Sequence, residues 1–306
     1  MLEKLWLKEE IENKFLKSFL FSIFFTSLSI SITHYFIPFK IMSQNYTGII
    51  AVLIASLSTS YPLIRYLEKR EDEEERMKNI DEGNLLFRHF HEILMYLVFF
   101  FGVTLSFSIF YFLFPQSFFS AQLGTIFSIT GRFIRMGFLH SIVSNNLFVF
   151  FITFLLSFIL SAGMVFILVW NASVLGVFFG KKIAAAGIYA PLSFVPDFLQ
   201  IPWYVVGILL GPILSNDRNN QIMLSLTSVI LIHGLMSYGI IGYMPHGILE
   251  IGSYCIAGIS GFLLSRHVED YRKEGSKEFL ELSEDCFILL GIGLLMLFLG
   301  GVLEVL

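Results

Sequence analysis

His246 and Glu250 stand four residues apart in the apolar run Met244–Ser265, MPHGILEIGSYCIAGISGFLLS, and on a helix that spacing puts them on one face. An imidazole beside a carboxylate can hold or exchange a proton, or supply mixed N and O ligands to a divalent metal. His233 is the third residue able to join such a metal site, leaving an open position for water. Pro245 suits the first turn of a helix, where its missing N–H costs nothing. Ser253, Ala257, Gly261 and Ser265 fall on nearly the same face as the polar pair. Small residues let helix backbones approach, so Glu250 is expected to point into a bundle or cavity, where an ionisable group is a functional-site hypothesis by default. The structural reading stands beside it. His246 at the headgroup level is ordinary, and Glu250 near a helix N-terminus can simply satisfy a backbone N–H or a cation.

Other polar residues are fewer. Arg132 and Arg135, one helical turn apart, can bind a lipid phosphate or act as counter-ions to Glu250. Asn146 precedes a long apolar run, Asn171 and Gly176 punctuate another, and Asp197 lies among prolines. His89 and His91 are two apart and share no helix face, so they make no metal pair. Gly207 and Gly211 form a GxxxG, read as close packing within the chain before a dimer face. No HExxH is present, and no nucleophile–base pair stands out. No basic stripe marks a nucleic-acid surface.

The elements that must position these residues are membrane-length. Of 306 residues, 56% are hydrophobic and 35 are Phe. The mean hydropathy is +0.76, and 14% of residues are charged, against about 25% in soluble domains. Runs of about 20 apolar residues recur without the alternation of a membrane barrel. The sequence therefore predicts an all-α, polytopic transmembrane helical bundle. About seven full spans are expected, with a proline-broken helical hairpin and interfacial helices.

The spans are read at Phe15–Ile37, Tyr46–Ile64, Ile93–Phe114, Leu147–Trp170, Met223–Tyr243, Met244–Ser265 and Phe287–Leu303. The first carries Ser18, Ser22, Thr26, Ser29 and Thr33 at helical spacing, a stripe for helix contact. Gln116–Asn145 is too polar for an easy span and reads as interfacial amphipathic helices. Ile183–Leu214 holds Pro191, Pro196, Pro202 and Pro212, which predict a broken hairpin, re-entrant in one form. Arg65–Glu92 reads as a solvated helical extension and a docking surface for a protein partner. Two organisational units follow: 1–92, with an amphipathic arm, a two-span hairpin and the charged loop, and the core 93–306. Cys255 and Cys286 lie in or beside apolar runs and read as reduced core residues.

Lys and Arg in short loops set the orientation. Lys4, Lys8, Lys14 and Lys17 in the N-terminal arm and the six basic residues of Arg65–Glu92 go to the cytoplasmic side of the cell membrane. Lys181-Lys182 is expected on that side too. If Ile183–Leu214 returns as a hairpin, Arg266, Arg272, Lys273 and Lys277 join them. His246 and Glu250 then lie near the outer face with Arg132, Arg135 and Asn146.

Three stretches, SNNLFVFF at Ser144–Phe151, WNASVLGVFFG at Trp170–Gly180 and PHGILEIGSYCIAGISG at Pro245–Gly261, carry a family resemblance. Together they resemble the integral membrane family of stage II sporulation protein M, of bacteria and archaea, over about residues 93–306. The resemblance carries across Asn146, Asn171, Gly176, His246, Gly247, Glu250, Gly258 and Gly261. WNAS stands where Phe-Asn-Gly is more usual. The family takes its name from a membrane subunit that anchors cell-wall hydrolases in spore formers, and the resemblance brings no sporulation role with it.

The reading taken forward is a non-enzymatic membrane scaffold or assembly factor. It meets membrane lipids and recruits a protein partner at its charged cytoplasmic loops. A transporter or channel using the His/Glu site is the alternative, and an intramembrane metal-dependent hydrolase the second. No cofactor is expected for the scaffold; a divalent metal at His233, His246 and Glu250 belongs to the hydrolase.

Overall fold

A backbone inside the bilayer must satisfy its own polar groups, and a helix does so within one segment. The computed structural model describes residues 11–37, 46–77, 89–136, 138–186, 244–274 and 279–305. Among these residues there are α-helices and one 3-10 turn, and no strand. The helices are α1 (Ile11–Phe36), α2 (Thr47–Met77), α3 (Phe90–Leu113), α4 (Ser120–Met136), α5 (Phe138–Leu160), α6 (Gly163–Ala186), α7 (Met244–Glu274) and α8 (Phe279–Val305). Six contain stretches long and apolar enough to cross a membrane: Phe15–Phe36, Thr47–Arg70, Phe90–Leu113, Gly163–Ala184, His246–Glu269 and Ser283–Leu303. In α5 the apolar stretch is shorter, Ser144–Leu160.

Contacts along the helices give their directions. Ser18 of α1 reaches Met95 O of α3, Ser106 reaches Ile23 O, and His34 stacks on Phe114 at 3.9 Å, so α1 and α3 run parallel. Arg70 meets Glu92 and Tyr96 donates to Leu63 O, so α2 is antiparallel to α3. Gly176 packs on Thr104 and Phe107, and Gly180 on Ser108 and Tyr111, which makes α6 parallel to α3. Asn146 meets Glu250 and Phe154 meets Gly261, so α5 runs with α7; Gly293 near Ile256 and Gly300 near Glu250 make α8 antiparallel to α7.

Two consequences follow. First, α7 is the central helix, buried on every side from Ile251 to Leu263. Second, one end of the bundle gathers the charged ends of α2 and α7 with the start of α3, joined where Arg266 donates to Glu68 O at 3.4 Å. The other end holds the start of α7, the end of α6 and α4. The Ser and Thr stripe of α1 is buried, with Ser18, Ser22, Thr26 and Thr33 all at 0% exposure. Ser22, Ser29 and Thr33 bond back to their own helix, at Phe19 O, Phe25 O and Ser29 O, which satisfies these hydroxyls against α3, while Thr26 Oγ1 is buried with no hydrogen-bond partner among the described residues.

The structure corrects three expectations. The run Leu147–Trp170 is not one span. The chain reverses at Ser161, whose φ of 38° lies in the left-handed region, and α6 starts afresh at Gly163 against Leu156. Hydropathy could not register this reversal, because a two-residue turn between apolar helices barely changes a window average. WNASVLGVFFG therefore lies inside α6, not after a span, and Asn171 bonds its own helix at Ile167 O, 2.8 Å. The extra reversal also carries Lys181-Lys182 to the end opposite Arg65 and Arg266, against the orientation expected from charge. Finally, the segment after Pro115 does not begin at the interface. The 3-10 turn Gln116–Phe119 folds inward, and Phe118, Phe119 and Gln122 are fully buried. Phe118 is close to His34 and Phe119 to Phe107 and Tyr111, so aromatic packing draws this segment into the bundle.

The expected broken hairpin Ile183–Leu214, except for its first four residues on α6, and the span Met223–Tyr243 lie outside the described residues. So do Asp197, His233, Gly207 and Gly211. The flanking helix ends, of α6 and α7, sit at the same end of the bundle, so the chain leaves and rejoins the described bundle there.

Close packing at glycine yields a paired prediction. A Cβ at Gly261 would strike Phe154 O and lie 3.1 Å from Phe158 N, whereas one at Gly291 meets nothing within 4 Å. Gly261→Leu is expected to cost about 1–3 kcal/mol or more, and Gly291→Leu to leave stability unchanged. Thermal melting of the two purified variants checks this; equal melting temperatures would refute the packing account.

Candidate functional site

The polar pair of α7 lies in its first turns. Pro245 sits where the helix has no N–H to lose, and His246 and Glu250 follow one turn apart. Both are half-buried. Because α5 runs parallel to α7 and close to it, Asn146 reaches Glu250: its Nδ2 donates to Glu250 Oε1 at 2.6 Å. Asn145 Nδ2 donates to Asn146 Oδ1 at 3.3 Å, which leaves the Asn146 NH2 group for the carboxylate. Ser253 Oγ donates to Glu250 O at 2.6 Å.

The third wall is α8. A Cβ at Gly300 would lie 3.1 Å from Glu250 Cγ and 3.3 Å from His246 O. The carboxylate thus occupies a slot between an amide on α5 and a glycine on α8. A short bond of this kind to an ionised acceptor is charge-assisted. Chemically the arrangement can hold an anion in place, accept a proton, or offer carboxylate and imidazole to a ligand entering from this end.

Packing residues expected around the pair fall into two groups. Ser253, Ala257, Gly258 and Gly261 are buried; Gly258 packs against Met164 and Gly261 against Phe154. Gly247 has nothing within 4 Å of where a Cβ would stand. Asn171 is far along α6 from this slot, and Gly176 belongs to the α3–α6 contact. Arg132 and Arg135 lie on the last turns of α4, at the same end of the bundle as Glu250. Among the described residues no three His, Cys, Asp or Glu side chains are grouped to hold a metal, and His233 lies outside them.

Sequence reasoning missed three polar sites. At the charged end, Arg70 Nε donates to Glu92 Oε1 at 2.6 Å, and Glu92 is 1% exposed. Nearby, His267 Nδ1 lies 3.7 Å from Cys286 Sγ, joining α7 to α8. Cys255 and Cys286 are both buried thiols. Deeper in, Gln122 Nε2 donates to Gly48 O and to Ser173 Oγ at 3.1 and 3.3 Å, tying α4 to α2 and α6. None of the three had a local signal, because the partners are 19 to 74 residues apart.

With this geometry in view, the comparison with known families bears on α7 and α8. Residues 200–306 match the family model of Stage II sporulation protein M. The match covers PHGILEIGSYCIAGISG and so includes His246 and Glu250, while Asn146 and WNASVLGVFFG precede it. The Stage II sporulation protein M-like segment thus contributes the carboxylate and the Gly300 wall, and α5 outside it contributes the amide. No curated protein matches the chain, and no solved structure matches it. Family resemblance and apolar helices together describe a multi-pass integral membrane protein.

Interhelical hydrogen bonds within membranes average about 0.6 kcal/mol and reach about 1.7. A charge-assisted pair belongs at the upper end. A double-mutant cycle of Asn146→Ala and Glu250→Ala is expected to return a coupling of about 1.5 kcal/mol in thermal or denaturant unfolding. A coupling near zero would mean the two side chains do not bond.

Proposed function

We propose that the protein is a membrane scaffold or assembly factor that recruits a protein partner at its charged end. One observation carries the reading: α2 and α7 run out of their apolar stretches without a break. α2 continues from Arg70 to Met77, about 10 Å at 1.5 Å per residue, and α7 from Glu269 to Glu274. Arg266 to Glu68 O and Arg70 to Glu92 brace the roots of these extensions to each other and to α3. Rigid, mixed-charge helices held at a fixed separation offer a partner a defined pattern of charge, with little ordering cost on binding. By the excess of Lys and Arg in the sequence around it, we place this end, with the N-terminal arm, on the cytoplasmic side of the cell membrane.

A second reading, an ion or solute pathway, draws on the Asn146–Glu250 pair. A carboxylate within a spanning helix, bonded across to a neighbouring helix, is the kind of group that pathways use. Its readout is proteoliposome flux of H+ or Na+, abolished by Glu250→Gln. Scaffold function predicts no flux and full partner binding in that variant.

Site-specific photo-cross-linking in cells separates the two. A cross-linking residue at Arg65 or Tyr271, both exposed at the charged end, is expected to give a discrete adduct with one protein species. The adduct should vanish on Arg272→Glu with Lys273→Glu. The same residue at Tyr35, exposed at the opposite end, should give none. No adduct from the charged end, or equal adducts from both, would overturn the scaffold reading.

The brace itself is testable. Removing one partner of a buried ion pair costs about 3–5 kcal/mol, because the other charge is left buried. Arg70→Met is expected to destabilise by that order, and Arg70→Met with Glu92→Met to recover most of it. Melting temperatures of the three proteins check this.

A further inference from the structure

Within a spanning helix a serine or threonine hydroxyl can bond the carbonyl three or four residues earlier on its own helix. Thr153 of α5 and Ser253 of α7 do so, at Val149 O and Glu250 O. One turn beyond Thr153 stands Ser157, and two turns beyond Ser253 stands Ser260. Both are at 0% exposure, and neither hydroxyl has a hydrogen-bond partner among the described residues. Buried side-chain oxygens left without a partner are few in folded proteins, and each calls for a source of the missing bond.

The fold brings these two hydroxyls to one level of one seam. α5 and α7 run parallel and are tied at Asn146 and Glu250. Ser157 follows Asn146 by about 16 Å along α5, and Ser260 follows Glu250 by about 15 Å along α7, at 1.5 Å per residue. That is about half of a 30 Å hydrocarbon core. The helical repeat returns Ser157 to within about 20° of the face that carries Asn146 toward α7. Ser260 is one turn beyond Ile256, which meets Phe150 of α5 at Gly293 of α8. The two serines therefore sit where α5, α7 and α8 come together. Phe154 O of α5 stands at the same level against Gly261, and its second lone pair is a further acceptor. Ala257, Ser260 and Gly261 put no large side chain on this part of α7. Two hydroxyls and a carbonyl supply the three hydrogen bonds that a buried water typically makes.

We propose that Ser157 and Ser260 bind a water molecule in the middle of the membrane, which joins α5 to α7. The water donates to Phe154 O and to one serine and accepts from the other, so each hydroxyl gains the bond it lacks. The site is separate from the Glu250 slot, because Phe150 and Ile256 meet at Gly293 between the two levels. It is also independent of the scaffold reading, which rests on the charged end.

The test uses full-length protein in phospholipid nanodiscs, exposed to a short X-ray pulse. Radiolysis turns bound water into hydroxyl radical, which oxidises the side chains beside it, and mass spectrometry maps them. Wild type is expected to be oxidised within residues 153–158 and 256–264, and Ser157→Ala with Ser260→Ala to lose that oxidation. No oxidation there in wild type overturns the proposal, as does oxidation that persists in the double variant. Melting temperatures add a sign. A shared water is lost only once, so each single alanine is expected to lower the melting temperature by roughly 2–4 °C, and the double variant by no more than the larger single effect. A dry seam gives the opposite sign, because each alanine then removes an unbonded hydroxyl, and a rise in melting temperature overturns the proposal. Coupled shifts without radiolytic oxidation mean that the hydroxyls bond each other directly, and also overturn it. Should the double variant fail to fold, the single variants decide: oxidation lost in each supports a shared water, and oxidation lost in neither or in one alone overturns it.

Discussion

The bundle depends on how closely helix backbones can approach α7 and α6. Lipid tails are as apolar as leucine, so spanning helices gain little from the hydrophobic effect and associate through packing and interhelical hydrogen bonds. Gly261 lies on the backbone of α5, Gly258 on Met164, and Gly176 and Gly180 on α3. At Gly261 and Gly176 the nearest atoms across the contact are backbone carbonyls, and at Gly258 and Gly180 they are the side chains of Met164 and Tyr111. The resulting dispersion contacts are individually small and many. They also bring the helices close, because a Cβ at Gly261 would strike Phe154 O and one at Gly176 would strike Thr104 O.

Helix register decides where the polar groups meet. Asn146 and Glu250 face each other because Phe154 and Gly261 do, two to three turns further along the same pair of helices. Gly300 leaves room for the carboxylate where almost any other residue would crowd it. At the other end, Arg70 and Glu92 meet because Leu63 and Tyr96 do. Each polar contact is a consequence of apolar packing between it and the middle of the membrane, so the two ends of the bundle are mechanically linked through α3, α6 and α7.

The ends themselves differ in charge. One is a brace of mixed sign built on helices that continue past the apolar stretch. The other has a half-buried carboxylate in an amide-lined slot. Mixed charge on stiff helices suits recognition of a folded partner, whose own charges can be matched in pattern.

Much of this was legible in the sequence. The all-helical membrane class, most of the spans, the buried stripe of α1 and the small-residue packing of α7 follow from composition and from a repeat of 3.6 residues, which is local information. His246 and Glu250 also stood out locally, because a charge in an apolar run is conspicuous wherever it occurs. Other features depended on the tertiary structure. The reversal at Ser161 costs only two residues and leaves hydropathy nearly unchanged, yet it divides one apparent span between two helices and sends Lys181-Lys182 to the opposite end. Gln122 belongs to a segment that reads as interfacial until Phe118 and Phe119 pull its start inward. Asn146 with Glu250, Arg70 with Glu92 and Gly300 with Glu250 join residues distant along the chain, and no local pattern encodes such pairs. The sequence by itself determined which stretches are apolar and helical; which of their residues face one another was decided by helix register, since register is set by contacts between segments and not within them.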